Sequence, residues 1–117
     1  MKITFLNTAC IAVMYRDTYR HLTDITLYEE STGEDFMTAT VVIDRFVDVD
    51  QAIIKNYSEN EGILQALIKA DIITSVLEVI PIGYTAVHRC QLSEEFLREY
   101  HALPYATRLL QACRNAH

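Results

Sequence analysis

Two runs of apolar alternation, joined by one short polar segment, constrain this chain more than any other feature. In residues 22–29, Ile25 and Leu27 fall on one side and Asp24, Thr26 and Tyr28 on the other. In residues 36–43, Met37, Ala39, Val41 and Ile43 share one side and Thr38, Thr40 and Val42 the other. A period of two belongs to the extended chain, whose successive side chains leave on opposite faces. The link Glu30-Ser31-Thr32-Gly33-Glu34-Asp35 is polar and carries a glycine, so the two runs predict a β-hairpin. A lone hairpin is marginal in water, and the chain must supply more strands or a helix to cover it.

The remaining segments supply both. Ile3, Phe5 and residues 10–15 read as one long strand or two short ones, with Asn7-Thr8 as a break or bulge. Ala52-Ile53-Ile54 fits a strand or a helical turn, with its β-branched residues favouring the strand, and the β-branched run at 75–80 suits a short strand. Pro81-Ile82-Gly83 signals a turn, and 84–92 a strand with Tyr84, Ala86, His88 and Cys90 on one face. Ser58-Glu59-Asn60-Glu61 matches a helix capping box, in which serine and glutamate each satisfy a free backbone N–H. Ile63, Leu64, Leu67, Ile68 and Ile72 then recur at helical spacing. Ser93 caps a further helix, which Pro104 ends near His101. A last helix would place Ala106, Leu109, Leu110 and Cys113 on one face, with Arg108 and Arg114 towards its negative end.

The expected fold is α+β: an antiparallel sheet of about five or six strands, one packed central helix and a C-terminal helical pair. The 117 residues make one domain, with 1–57 β-rich, 58–72 helical, 75–92 a β-hairpin and 93–117 a helical tail.

Charge narrows the partners. The formal net charge is -6, and residues 1–78 hold six Lys/Arg against thirteen Asp/Glu, while 79–117 hold four against three. An acidic front half disfavours direct nucleic-acid binding, which needs a basic footprint on the phosphates. It suits solubility, or docking on a basic protein surface. The residues expected to carry such docking are Tyr28, Glu29, Glu30, Glu34 and Asp35 around the hairpin turn, with Asp48 and Asp50 in the acidic connection that follows. No apolar run approaches the ~20 residues that cross a bilayer. Lys2 and the interrupted stretch after it make a poor signal peptide. Cys10, Cys90 and Cys113 have no motif spacing, and reduced, mostly buried thiols fit best. The expected setting is the cytoplasm.

Chemistry is hard to place. His88 and Cys90 share a strand face, but a metal site needs further ligands at suitable spacing, and His101, Cys113 and His117 do not supply that pattern. Cys10 and Cys113 lie on apolar stripes, away from the features that activate a thiol. The paired carboxylates fall on turns and helix starts, where exposure and capping explain them. Asp44, Asp48 and Asp50 lack the glycine and distal glutamate of a calcium loop. The seven tyrosines are dispersed without interleaved Lys/Arg, Arg16 and Arg20 beside Tyr15 and Tyr19 excepted. No phosphate-binding loop is present. No catalytic residue, metal or cofactor is expected.

One stretch is distinctive. Ile54-Lys55-Asn56-Tyr57-Ser58-Glu59-Asn60-Glu61-Gly62-Ile63-Leu64-Gln65-Ala66-Leu67 resembles the signature of a family of small uncharacterised proteins encoded on bacterial mobile elements. Thr38-Ala39-Thr40-Val41 upstream, and Gly83-Tyr84 and Cys90-Gln91-Leu92 downstream, extend the resemblance over about residues 13–92. It implies a plasmid, prophage or integrative-element context and transfers no catalytic residue. Small acidic proteins in that context often block a host nuclease or other defence complex, as anti-CRISPR proteins do. The leading expectation is therefore a non-enzymatic binder that inhibits or modulates a protein partner. Two others stand beside it: an accessory protein of a mobile element, a homodimer through a sheet edge, and a small enzyme with a site around His88, Cys90 and Tyr84.

Overall fold

The computed structural model describes residues 1–17, 20–104 and 106–108. The fold is α+β. The strands are β1 (Lys2–Phe5), β2 (Thr8–Asp17), β3 (Leu22–Glu29), β4 (Asp35–Thr38), β5 (Gln51–Lys55), β6 (Ile73–Ile82) and β7 (Thr85–Leu92). Among the described residues, two helices accompany them, α1 (Ile63–Lys69) and α2 (Glu94–His101), and residues 106–108 are helical as well. Where the sequence suggests one sheet, there are two, ordered β1-β2-β3-β4 and β5-β7-β6, with every pairing antiparallel.

The split comes from a change of partner just beyond β4. The alternation at 36–43 continues, but the strand leaves its hairpin mate. Ala39 still donates its N–H to Ile25 O at 2.8 Å, while Lys55 N donates to Ala39 O at 3.0 Å and Val41 N to Ile53 O at 3.1 Å. Thr40 forms an isolated bridge to Ile54. Residues 39–41 thus stitch the sheets together, leaving β1 and β6 as the outer strands. Helix α1 touches β1, β5 and β6, so the strands curl around it.

The main core lies inside that curl. Ile25, Leu27, Ile54, Ile63, Leu67 and Ile72 are wholly buried there, joined by Ala12, Met14 and Cys90, and by Phe96 from α2. A smaller cluster of Val47, Ile53, Ile80 and Val87 sits on the other face of the second sheet, packed by Val41 and Ile43. Glu78 accepts from both Arg45 and Arg89 at 3.1 Å, tying the loop that carries Val47 to β6 and β7.

Local chemistry explains the turns. The chain does break between β1 and β2, one residue earlier than Asn7-Thr8 suggests: Leu6 and Asn7 have positive φ, 51° and 60°, which gives the two-residue turn whose twist suits a hairpin, and Thr8 already pairs with Phe5. The β6–β7 turn is Gly83-Tyr84, one residue later than Pro81-Ile82-Gly83 suggests. Pro81 instead ends up within β6, an edge strand, where a missing N–H costs no ladder bond. Ser93 does cap α2, accepting from Phe96 N at 3.1 Å, and α2 ends at His101. The expected last helix is present over residues 106–108, where Arg108 N donates to Pro104 O at 3.1 Å, and the rest of it, including Leu109, Leu110 and Cys113, lies outside the described residues.

The capping box at Ser58 does not form. Residues Ser58–Asn60 make a single 3-10 turn, with Ser58 at φ +57° and no side-chain cap. Helix α1 begins only at Ile63, after Gly62 at φ +94°. The turn lets Asn60, 2% exposed, donate from its side chain to Thr38 O at 2.9 Å, satisfying the end of β4. The cap comes instead from Asn56, whose Oδ1 accepts from Gly62 N at 3.1 Å and Leu64 N at 2.9 Å. We therefore expect Asn56→Ala to cost about 1–2 kcal/mol in urea unfolding. Ser58→Ala should change stability by less than about 0.5 kcal/mol. A capping box at Ser58 would reverse that order.

Candidate functional site

The hairpin turn expected to carry docking is built as the sequence suggests. β3 and β4 pair from Thr26–Thr38 to Tyr28–Asp35, with an irregularity between Leu27 and Tyr28. Gly33, at φ +74°, donates its N–H to Glu29 O at 2.8 Å and closes the turn. Glu30, Glu34 and Asp35 are exposed, and Tyr28 and Glu29 half-buried. Lys2 pairs with Glu30 at 3.3 Å. Among the described residues, Glu29, Glu34 and Asp35 make no ion pair. The tip therefore keeps most of its negative charge facing solvent. The Tyr28 hydroxyl bonds that of Tyr15 on the neighbouring strand, edge to face, which fixes the ring at the base of the tip.

Asp48 and Asp50 lie elsewhere. Arg16 near the far end of β2 donates to Val47 O at 2.9 Å, and Asp48 acts electrostatically on the same guanidinium. The tip adjoins the other end of β2, where Cys10 pairs with Glu29. Six residues of strand at about 3.3 Å each put the two acidic groups roughly 20 Å apart. Asp50 is engaged besides: its carboxylate accepts from Gln91 Nε2 at 3.0 Å, and its carbonyl from Leu92 N at 2.9 Å. The seven expected residues form one tip of five and a separate pair.

The strand face around His88 and Cys90 is packed rather than open. Cys90 is wholly buried opposite Ala52, and its thiol donates to His88 O at 3.5 Å. Burial pushes its pKa up to about 12, so it stays a protonated thiol at neutral pH. Cys10 is buried too, and its pKa is raised first by that burial and then by Glu29 and Glu30. Tyr84 leaves this face altogether and stands fully exposed in the turn. Among the described residues, no three His, Cys, Asp or Glu side chains gather to hold a metal ion. His117 and Cys113 lie outside them. No described helix is long and apolar enough to cross a membrane.

Two features escape the sequence reading. Arg16, which looks like the start of a polar connection, ends up 4% exposed, donating to Thr23 Oγ1 at 2.5 Å. Desolvation lowers its pKa, against the raising influence of Tyr100, Asp48 and Asp17. Asp24, which looks like a solvated member of an alternating strand, is largely desolvated, and this raises its carboxyl pKa against the lowering hydrogen bond from Thr26 at 2.8 Å. Its lone charge between Thr23 and Ile25 is the one signal in the sequence, and strand alternation explains it equally well.

The chain matches no family model, no curated protein and no solved structure.

Proposed function

We propose that this chain is a non-enzymatic binder that inhibits or modulates a protein partner, docking its acidic β3–β4 tip on a basic surface of that partner. The observation that carries the reading is the tip itself: Glu29, Glu30, Glu34 and Asp35 on one turn, with Lys2 as the one described counter-charge. Such a field steers a basic partner and rejects acidic ones, nucleic acid included. The resemblance to mobile-element proteins favours a nucleic-acid-handling defence complex of the host, CRISPR-Cas among them, as the partner, and hence a cytoplasmic setting. The test is capture from a bacterial lysate at low salt. A partner should be retained by the native chain, released as salt rises, and missed by a chain with E29K, E30K, E34K and D35K. Equal retention by both chains sinks the proposal.

A second reading, the homodimeric accessory protein, has its own support. The outer strand β6 and its turn expose Val76, Leu77, Val79, Ile82 and Tyr84, between 37% and 112% by residue. Its one acid, Glu78, is paired with Arg45 and Arg89, so no unpaired carboxylate on β6 faces a second copy. Bulges near Thr74 and Leu77, and Pro81, work against regular strand addition. The reading therefore requires side-chain packing, with β6 pressed on β6. Light scattering should then give a dimer that Val79→Lys dissociates. A concentration-independent monomer removes this reading.

A further inference from the structure

A cleft of about 330 Å³ opens between β3 and residues 40–43. Leu22, Val42, Ile43 and Ile53 give it an apolar wall, and Arg20, Asp24 and Thr40 its polar side. The two charges are unequal. The Arg20 guanidinium is already engaged, donating to Asp17 Oδ2 at 2.7 Å. Asp24 has only the Thr26 hydroxyl, and no ion pair among the described residues. A carboxylate taken out of water with no cation paired to it is costly, and a cation brought to it recovers part of that cost.

We propose that this cleft receives the side chain of a lysine or arginine from a partner protein, with the cationic head at Asp24 and the alkyl stem along Leu22, Val42 and Ile43. Long basic side chains have that divided character, an apolar stem and a charged tip. A bare calcium ion would require six or more oxygens, and one carboxylate with a threonine does not approach that. The raised pKa of Asp24 is what a desolvated, cation-free carboxyl shows. Placement favours a protein over a free amine. Asp24, Thr26 and Tyr28 follow one another along the same face of β3, and four residues of strand, about 13 Å, connect the cleft to the acidic tip. A basic surface docked on the tip therefore reaches the cleft with one side chain. This step rests on the proposed function and names the chemistry at its second contact.

The test uses small probes, so it needs no identified partner. Amide NMR shifts are followed while the chain is titrated with Nα-acetyl-lysine amide, with its uncharged analogue Nα-acetyl-norleucine amide, and with putrescine as a free amine. The lysine probe should shift Leu22, Asp24, Thr40 and Val42 and saturate in the millimolar range, on the order of 1–10 mM. Asp24→Asn, which keeps an oxygen for Thr26, should weaken it about tenfold. The norleucine analogue should fall by a similar factor, and putrescine should bind no tighter than lysine. Val42 is 72% exposed, so Val42→Arg should fill the mouth of the cleft and block the probe with the fold intact, should Asp24→Asn fail to fold. Shifts that never saturate, equal binding of lysine and norleucine probes, or binding indifferent to both substitutions overturn the proposal. Preference for putrescine overturns the assignment to a protein side chain. The charge-reversed tip leaves the cleft residues untouched. Saturation by lysine with no loss of partner in that variant faults the hairpin reading alone, and the opposite pair of results faults the cleft alone.

Discussion

Leu67→Ala will destabilise the chain by about 2–5 kcal/mol, the range of a leucine removed from a packed core. Leu67 is wholly buried in α1, at the centre of the curl formed by the two sheets. Helix α1 is only seven residues long and touches strands of both sheets, so it has little stability of its own and lends much to theirs. The loss is a large share of the 5–15 kcal/mol typical of a whole domain. Ile68, the next residue, belongs to the same apolar series in the sequence but is 43% exposed. Ile68→Ala should stay near 0.5 kcal/mol. Urea unfolding measures both, and equal losses would mean that α1 presents another face to the core.

Reversing the tip should act on binding and leave folding nearly untouched. Each of E29K, E30K, E34K and D35K changes the charge by two, so the formal net charge moves from -6 to +2. Glu30, Glu34 and Asp35 are exposed in or beside the turn and Glu29 is half-buried at the end of β3, and the one ion pair among them, Glu30 with Lys2, is exposed and worth little. The unfolding free energy should therefore hold within about 1 kcal/mol. Association with a basic partner should slow by about 10- to 1,000-fold, the span of electrostatic steering, and the native affinity should fall steeply with salt. Loss of binding together with loss of the fold would show that the turn is structural instead.

Much of the fold is legible in the residues, for identifiable reasons. Strand alternation locates β3 and its turn because one face of each strand is buried and the other is not. The same alternation hides the change of partner at Thr40, since a strand that leaves one neighbour for another keeps its period of two. That is why one sheet is expected and two are found. The capping box misleads because it is a local pattern overruled by a distant need: Asn60 turns inward to satisfy Thr38 O, and Asn56 caps in place of Ser58. The acidic tip is readable because turn and charge coincide in sequence. The separation of Asp48 and Asp50 from it is not, because it depends on which end of β2 each loop meets. Asp24 is invisible for a similar reason: its desolvation comes from residues 40–43 folding back beside β3.

The central claim is that the hairpin tip, rather than acidity in general, carries recognition. It is tested most directly by titrating one captured partner against three chains in the same buffer: native, the tip reversed at Glu29, Glu30, Glu34 and Asp35, and Asp48→Lys alone. Asp48 is exposed and roughly 20 Å from the tip, next to Val47 of the cleft, so it reports on charge outside the tip. The account predicts a loss of about 10-fold or more for the tip variant and less than about threefold for Asp48→Lys. Undiminished binding by the tip variant, or equal losses in the two variants, would contradict it.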